Sequence, residues 1–250
     1  MDRLPDGYHA LIIGGNGGIG RAVVDRLLAD PRLGRVTVVS RIPFETFSSR
    51  LEAIEGDVTT PQGRAELGRA LHGPGGHAVP LHLVVNAIGL LHDDANNIQP
   101  EKRLEDLDEA ALMELFRVNA ATPALMIQAL LPHLKGSHPT TVVSLSARVG
   151  SIGDNGLGGW YAYRASKAAH NMLMKTAAIE LKRLNPQSCV LSFHPGTTDS
   201  SLSRPFQARV PANKLFTADF VAEQLMSMVQ QRGPADSGGF FDWANEAIPW

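Results

Sequence analysis

Cysteine, net charge and long apolar runs are all scarce in this chain, and each scarcity removes a class of explanation. Cys189 is the single cysteine among 250 residues. No disulfide can therefore close within the chain, and a reducing, cytoplasmic location is expected. The formal net charge is −2, which supplies no basic field for nucleic acid or an anionic membrane. No uninterrupted run of 18 apolar residues occurs, so no membrane span is expected. The opening MDRLPDGYHALIIGG has two early acids, no long apolar stretch and no small-residue cleavage site; it is not expected to be a secretory signal. His72, His77 and His82 lie close together in the chain without the spacing of a known metal site, so no metal is expected.

Hydrophobic residues make up 44% of the chain, enough to build a full core. They fall in short β-branched runs that alternate with longer amphipathic segments. Strands are expected over 9–13, 35–40, 51–56, 81–87, 140–146, 188–194 and 238–243. Helices are expected over 18–30, 61–72, 108–134, 160–184 and 217–231, the third opening at Asp108, an N-cap type of residue. This alternation predicts one α/β domain, a doubly wound Rossmann fold with about seven parallel strands and right-handed crossovers. HGPGGHAVP (72–80) reads as a surface loop. Segment 197–216 has no clear period and follows a strand's carboxyl end, where open α/β sheets bind ligands, so it is expected to be the substrate loop.

Between the first strand and its helix, IIGGNGGIGRA places Gly14, Gly18 and Gly20. Such glycines allow a tight turn, close approach of a pyrophosphate to backbone N–H groups, and close helix–strand packing. The spacing is GxxxGxG and not GxGxxG, but the flanking strand and helix supply the context of a dinucleotide site. An NAD site carries an acid at the end of the second strand, about 20 residues on. Ser40-Arg41 stands there instead, and a guanidinium attracts the 2′-phosphate of NADP(H). Asp57, after the third strand, and Asn86, at the end of the fourth, are candidate adenine and cofactor-backbone contacts; both equally suit a turn.

YRASK sets Tyr163 and Lys167 at i and i+4, on one helix face. A phenol of pKa ~10 shuttles protons poorly near neutrality, and a neighbouring ammonium is expected to lower that value. Tyr163 then serves as general acid or base for a carbonyl or alcohol.

In chain order, GGNGGIG, GDV, VNAIG, VNAAT, VVSLSARVG, YRASK and FHPGTTDS resemble the motifs of the short-chain dehydrogenase/reductase family over essentially the whole chain. SARVGSIGDNGLGGWYAYRASKAA looks most like the C-factor branch and related carbonyl reductases. The resemblance implies that Tyr163 is the acid/base and that Lys167 holds the nicotinamide ribose. It implies that Asn119 binds a water linking Lys167 to solvent. Cofactor contacts are implied at Gly14, Asn16, Gly18, Ile19, Gly20, Ser40, Arg41, Asp57, Val58, Asn86 and Ala87. Pro195, Gly196 and Ser200 are implied beside the nicotinamide. The family's substrate-orienting serine falls in register on Ala147; the role is assigned to Ser146, one residue earlier, with Ser144 as the fallback on the same strand face. The implied partners are a small carbonyl or alcohol substrate and, through helices 108–134 and 160–184, further copies of the chain as a homodimer or homotetramer. A non-catalytic NAD(P)-binding signalling protein of C-factor type is the alternative. Cys189 is expected to be core.

Overall fold

The computed structural model describes residues 3–45 and 48–250, with every side chain in that range except those of Arg209 and Ala212. Residues 1 and 2 of the N-terminal stretch lie outside the described residues. Six elements alternate first: β1 (Tyr8–Ile13), α1 (Gly18–Ala29), β2 (Leu33–Ser40), β3 (Leu51–Glu55), α2 (Pro61–Ala70) and β4 (Leu83–Asn86). Then come α3 (Glu109–Phe116), α4 (Thr122–Leu134), β5 (Thr140–Leu145), α5 (Tyr161–Leu184) and β6 (Ser188–His194). Two short strands, β7 (Thr197–Thr198) and β8 (Leu215–Phe216), precede α6 (Ala218–Gln231) and β9 (Gly239–Asp242).

Seven strands form one sheet in the order β3-β2-β1-β4-β5-β6-β9, and every pairing in it is parallel. This is the doubly wound Rossmann-type α/β fold. Alternation along the strands sorts the core into two layers. Ala10, Ile12, Val143, Leu145, Leu191 and Phe193 face α1 and α6. Leu11, Ile13, Val142 and Val190 face α2, α4 and α5. Both faces are covered, which is why the strands read as continuous apolar runs and not as alternating ones. Local caps set the helix starts. Thr60 and Asp108 accept from the N–H groups of Gly63 and Ala111, and Thr217 from that of Phe220.

The helix expected over 108–134 differs from one continuous rod: it is broken by a π-turn over Arg117–Ala121. Pro123 is the cause. It has no N–H for the carbonyl of Asn119, and its ring presses on that carbonyl. The turn widens, and Thr122 closes it by giving both its N–H and its hydroxyl to Arg117 O. The run Glu109–Leu134 is 26 residues long and holds an 18-residue window of mean hydropathy 1.2, apolar enough by composition to cross a membrane. Its apolar side, Met126, Ile127, Leu130 and Leu134, packs on the sheet.

The segment 197–216, expected to be irregular, carries the β7–β8 pair and 3-10 turns at Arg204–Arg209 and Ala212–Lys214.

The strand order reverses between β1 and β4, so a crevice opens there at the carboxyl ends of the strands. Gly14 enters it with φ +84°, a conformation that glycine adopts without strain. Gly20 is packed so closely that a Cβ would collide with the Gly14 carbonyl. Backbone cannot yield as a side-chain tip does, and overpacking costs ~1–3 kcal/mol. Gly20→Ala is therefore expected to lower the melting temperature by about 5 °C; a thermal scan that left it unchanged would show that α1 tolerates displacement.

Candidate active site

A cleft of about 1250 Å³ runs along the carboxyl ends of the central strands. That exceeds the ~300–1,000 Å³ of an ordinary small-molecule pocket and leaves room for two ligands end to end. Gly14, Asn16, Gly18, Ile19, Gly20, Ser40, Arg41, Asp57, Val58 and Ala87 line one end. Ser146, Tyr163, Lys167, Pro195, Gly196 and Ser200 line the other.

At the first end, α1 begins at Gly18 with Gly17 as its cap and no side-chain cap bond, so its first N–H groups face the cleft with the helix's positive end. Asn16 braces the loop across the cleft rim by donating to Ser40 Oγ (3.1 Å) and Ile42 O (3.0 Å). Ser40 in turn donates to Ile42 O at 2.6 Å; its hydroxyl is spoken for, and its place in the site is structural. Arg41 is exposed beside it and makes no ion pair among the described residues. Asp57 does form a turn: its carboxylate accepts from Thr59 N at 2.9 Å. It also faces the cleft.

Two of the expected site residues, Asn86 and Asn119, are not part of the cleft lining. Asn86 is buried, and its amide donates to Ser144 Oγ at 2.8 Å beneath the sheet's edge. Asn119 is fully buried in the π-turn. Its side chain clasps Leu90 at both ends, accepting from the N–H and donating to the carbonyl, each at 2.7 Å. It also donates to Ser166 Oγ at 3.0 Å, and Ser166 donates to Tyr163 O at 2.8 Å. Asn119 thus ties the β4 loop to the first turns of α5. His170, one turn beyond Lys167, places Nδ1 3.1 Å from Asn119 O, the carbonyl that Pro123 leaves without an amide. Burial, then the Lys167 charge, hold that imidazole at about 3, so it is neutral and donates.

Tyr163 and Lys167 come together as the helix period demands. Both are buried on the cleft floor, and Lys167 Nζ lies 5.8 Å from the Tyr163 ring centroid. The ammonium group donates to Leu145 O at 2.9 Å. The expected lowering of the tyrosine is not what this arrangement produces. Burial raises the Tyr163 phenol above its ordinary value and holds Lys167 down at about 8. Desolvation outweighs the ammonium because Lys167 is itself buried and spends its proton on a backbone carbonyl. Gly89 stands between the two polar centres: a Cβ there would meet Asn119 Oδ1 at 3.7 Å and Lys167 Nζ at 3.8 Å.

Ser146 stands just past the end of β5, and its hydroxyl has a partner within the protein. Ser146 is buried, and its hydroxyl donates to Asn171 Oδ1 at 2.6 Å, on the α5 side of the sheet. Ser144 faces the same way and accepts from Asn86. Ser146 lines the cleft with that hydroxyl already committed, whereas Ser144 is not part of the lining. Ala147 also lines the cleft and packs in the apolar cluster that includes Tyr163 and Leu115. The position that matches the family's serine thus carries a methyl group.

Trp160 and His194, on the cleft wall, fall within SARVGSIGDNGLGGWYAYRASKAA and FHPGTTDS, where the sequence assigns neither a role. Trp160 meets Tyr163 edge-on at 6.1 Å and Phe206 at 5.3 Å. Its adjacency to YRASK is the one signal that the sequence offers for it.

Residues 8–210 match the family model described as short chain dehydrogenase. The C-signal protein of Myxococcus xanthus is 33% identical over 148 residues, covering 59% of this chain and 83% of that protein. L-xylo-3-hexulose reductase of Hypocrea jecorina is 29% identical over 216 residues, covering 78% and 68%. Among solved structures, NADPH-bound carbonyl reductase from chicken fatty liver superposes with a TM-score of 0.82 at 23% identity, covering 99% of this chain and 100% of that one. At that identity the likeness is one of fold.

Proposed function

The chain belongs to the short chain dehydrogenase family of oxidoreductases, and from that membership we propose that it reduces a small carbonyl compound reversibly with NADP(H), Tyr163 handling the proton. The observation that carries the proposal is the placement of Tyr163 and Lys167 on the floor of the cleft that the glycine loop opens.

The cleft suits a dinucleotide. The glycine turn leaves no Cβ at Gly20 to block the loop, and the free N–H groups of α1 suit a pyrophosphate. Arg41, exposed and without an ion pair among the described residues, suits a 2′-phosphate. When bound, the reduced nicotinamide supplies the hydride. The protein's part is the proton. A phenol kept neutral by burial is an acid at rest, ready to give its proton to a carbonyl oxygen as negative charge develops there. Lys167 stabilises the phenolate that forms, and Asn119 holds the loop and helix that flank it. Reduction is thus the direction in which the resting protonation state is already correct.

Binding tests the cofactor assignment. Arg41→Ala is expected to weaken NADPH about 10–100-fold, the worth of one charge-assisted contact, and to leave NADH unchanged. Equal loss for both in a fluorescence titration would remove the 2′-phosphate reading. A panel of benzaldehydes, aliphatic ketones and ketoses, followed by NADPH oxidation, tests the reaction. The C-signal relative favours a second reading, in which the chain acts as a nucleotide-binding signal; that reading predicts NADPH binding without turnover.

The single cysteine supports a cytoplasmic setting. Exposed Leu125 on α4 and Met172, Leu173 and Ile179 on α5 support self-association through those helices. The continuous seven-stranded sheet supports the chain's acting as one domain, with 197–216 over the substrate end.

A further inference from the structure

The start of α5 adopts a conformation that its own residues do not favour. Gly158, Gly159 and Trp160 are all left-handed, with φ of +65°, +66° and +53°. A bulky residue in that region is strained and persists only where its surroundings hold it. Trp160 is also the N-cap of α5, yet its indole offers nothing to the first turn. A serine or aspartate is the usual occupant, satisfying an N–H group of the first turn. Here the cap position is taken by a ring that forms the wall of the cleft beside Tyr163 and Phe206.

Glu101 takes over the missing function from 61 residues away. Its backbone carbonyl accepts from Trp160 N at 2.5 Å, and its carboxylate Oε2 accepts from Ala162 N at 3.3 Å. The residue is 5% exposed, and Oε1 is buried without a hydrogen-bond partner. Arg164 completes the bracket by donating to Gly158 O and Gly159 O at 3.0 and 2.9 Å. A buried negative group therefore stands at the positive end of a 24-residue helix, at the amide that directly precedes Tyr163. The helix dipole partly compensates it there.

We infer that Glu101 is a positioning residue for the reaction: it clamps the first turn of α5 and so sets where the Tyr163 hydroxyl and the Trp160 ring stand in the cleft. The inference rests on Tyr163 being the proton donor. It accounts for the burial of a carboxylate that touches neither face of the cleft, and for the strained cap. The geometry of a reacting group matters steeply, since a displacement of about 1 Å costs on the order of 10²-fold in rate.

The test compares Glu101→Ala, Glu101→Gln and Tyr163→Phe, using NADPH and the fastest-reduced compound among the benzaldehydes, ketones and ketoses. Glu101→Ala is expected to lower kcat about tenfold or more, with NADPH affinity unchanged, because the dinucleotide's phosphate end is remote. Amide hydrogen exchange at Ala162 and Tyr163 is expected to accelerate in the same variant. Glu101→Gln keeps an acceptor for the Ala162 amide without the charge; it is expected to restore most of kcat and the slow exchange. Wild-type kcat in Glu101→Ala, or unaltered exchange at the two amides, would overturn the inference. If Glu101→Ala does not fold, Glu101→Asp, whose shorter side chain withdraws the carboxylate from the Ala162 amide, takes its place, and wild-type kcat with unaltered exchange in that variant overturns the inference. Turnover surviving in Tyr163→Phe would remove the proton-donor reading and leave the exchange result to judge the clamp.

Discussion

Tyr163→Phe is expected to lower turnover ~10²–10⁴-fold, the usual share of general acid–base catalysis, while NADPH still binds. The substitution removes one oxygen and little else. Among the described residues the Tyr163 hydroxyl has no hydrogen-bond partner, and the ring sits in an apolar cluster with Leu91, Leu115 and Ala162. Phenylalanine fills the same space, so the fold and the cleft persist. The backbone carbonyl that accepts from Ser166 is unaffected. The loss is therefore chemical: Ala147 has no hydroxyl, Ser146 donates to Asn171, and the Lys167 ammonium is held by Leu145 O. Retained turnover would mean that the proton comes from elsewhere. Loss of NADPH binding together with turnover would mean that the ring, and not its hydroxyl, is what the site requires.

Acid is expected to destabilise the protein by about 4 kcal/mol between pH 7.5 and pH 5, through His9 and His170 alone. Burial, followed for each by the charge of a nearby cation, holds both imidazoles at about 3. Both are buried, His9 against Thr37 Oγ1 at 2.9 Å and His170 against Asn119 O at 3.1 Å. Their folded values lie below the unfolded one of ~6.5. The stability they contribute is therefore full above ~6.5 and is lost as pH falls from there towards 3, because the unfolded chain binds the protons that the folded one refuses. At ~1.4 kcal/mol per pH unit and ~1.5 units, each residue accounts for about 2 kcal/mol at pH 5. His194, held at about 4 by burial, acts in the same direction. A loss of this size is a large part of a typical domain's ~5–15 kcal/mol. Urea unfolding at a series of pH values measures it directly. His170→Leu is expected to flatten the slope by about one proton below pH 6; an unchanged slope would mean that His170 titrates normally in the fold.

The elements are legible where a short-range period carries them. Continuous β-branched runs mark the strands, and Asp108 marks its helix start, as found. The placements that fail involve partners far apart in the chain. Ser146 reads as the substrate's serine because it neighbours Ala147 in sequence; the fold commits its hydroxyl to Asn171. Lys167 is expected to lower the Tyr163 value, as a pair in water would; burial of both reverses the balance. The π-turn is signalled by Pro123, inside an otherwise regular helical pattern.

By itself the sequence determined the features that spacing dictates: an alternating α/β sheet, a glycine turn ahead of the first helix, and a tyrosine and a lysine on one helical face. Those are consequences of periods of two and 3.6 residues and of one residue type's backbone freedom, and they need no partner. Tertiary structure alone decided that the Ser146 hydroxyl goes to Asn171, that His170 takes the carbonyl of Asn119, and that Glu101 caps a helix 61 residues away. Each of these is a hydrogen bond between elements far apart in the chain. Its existence depends on how the sheet and helices stack, and a buried polar group takes whichever partner that stacking brings within reach.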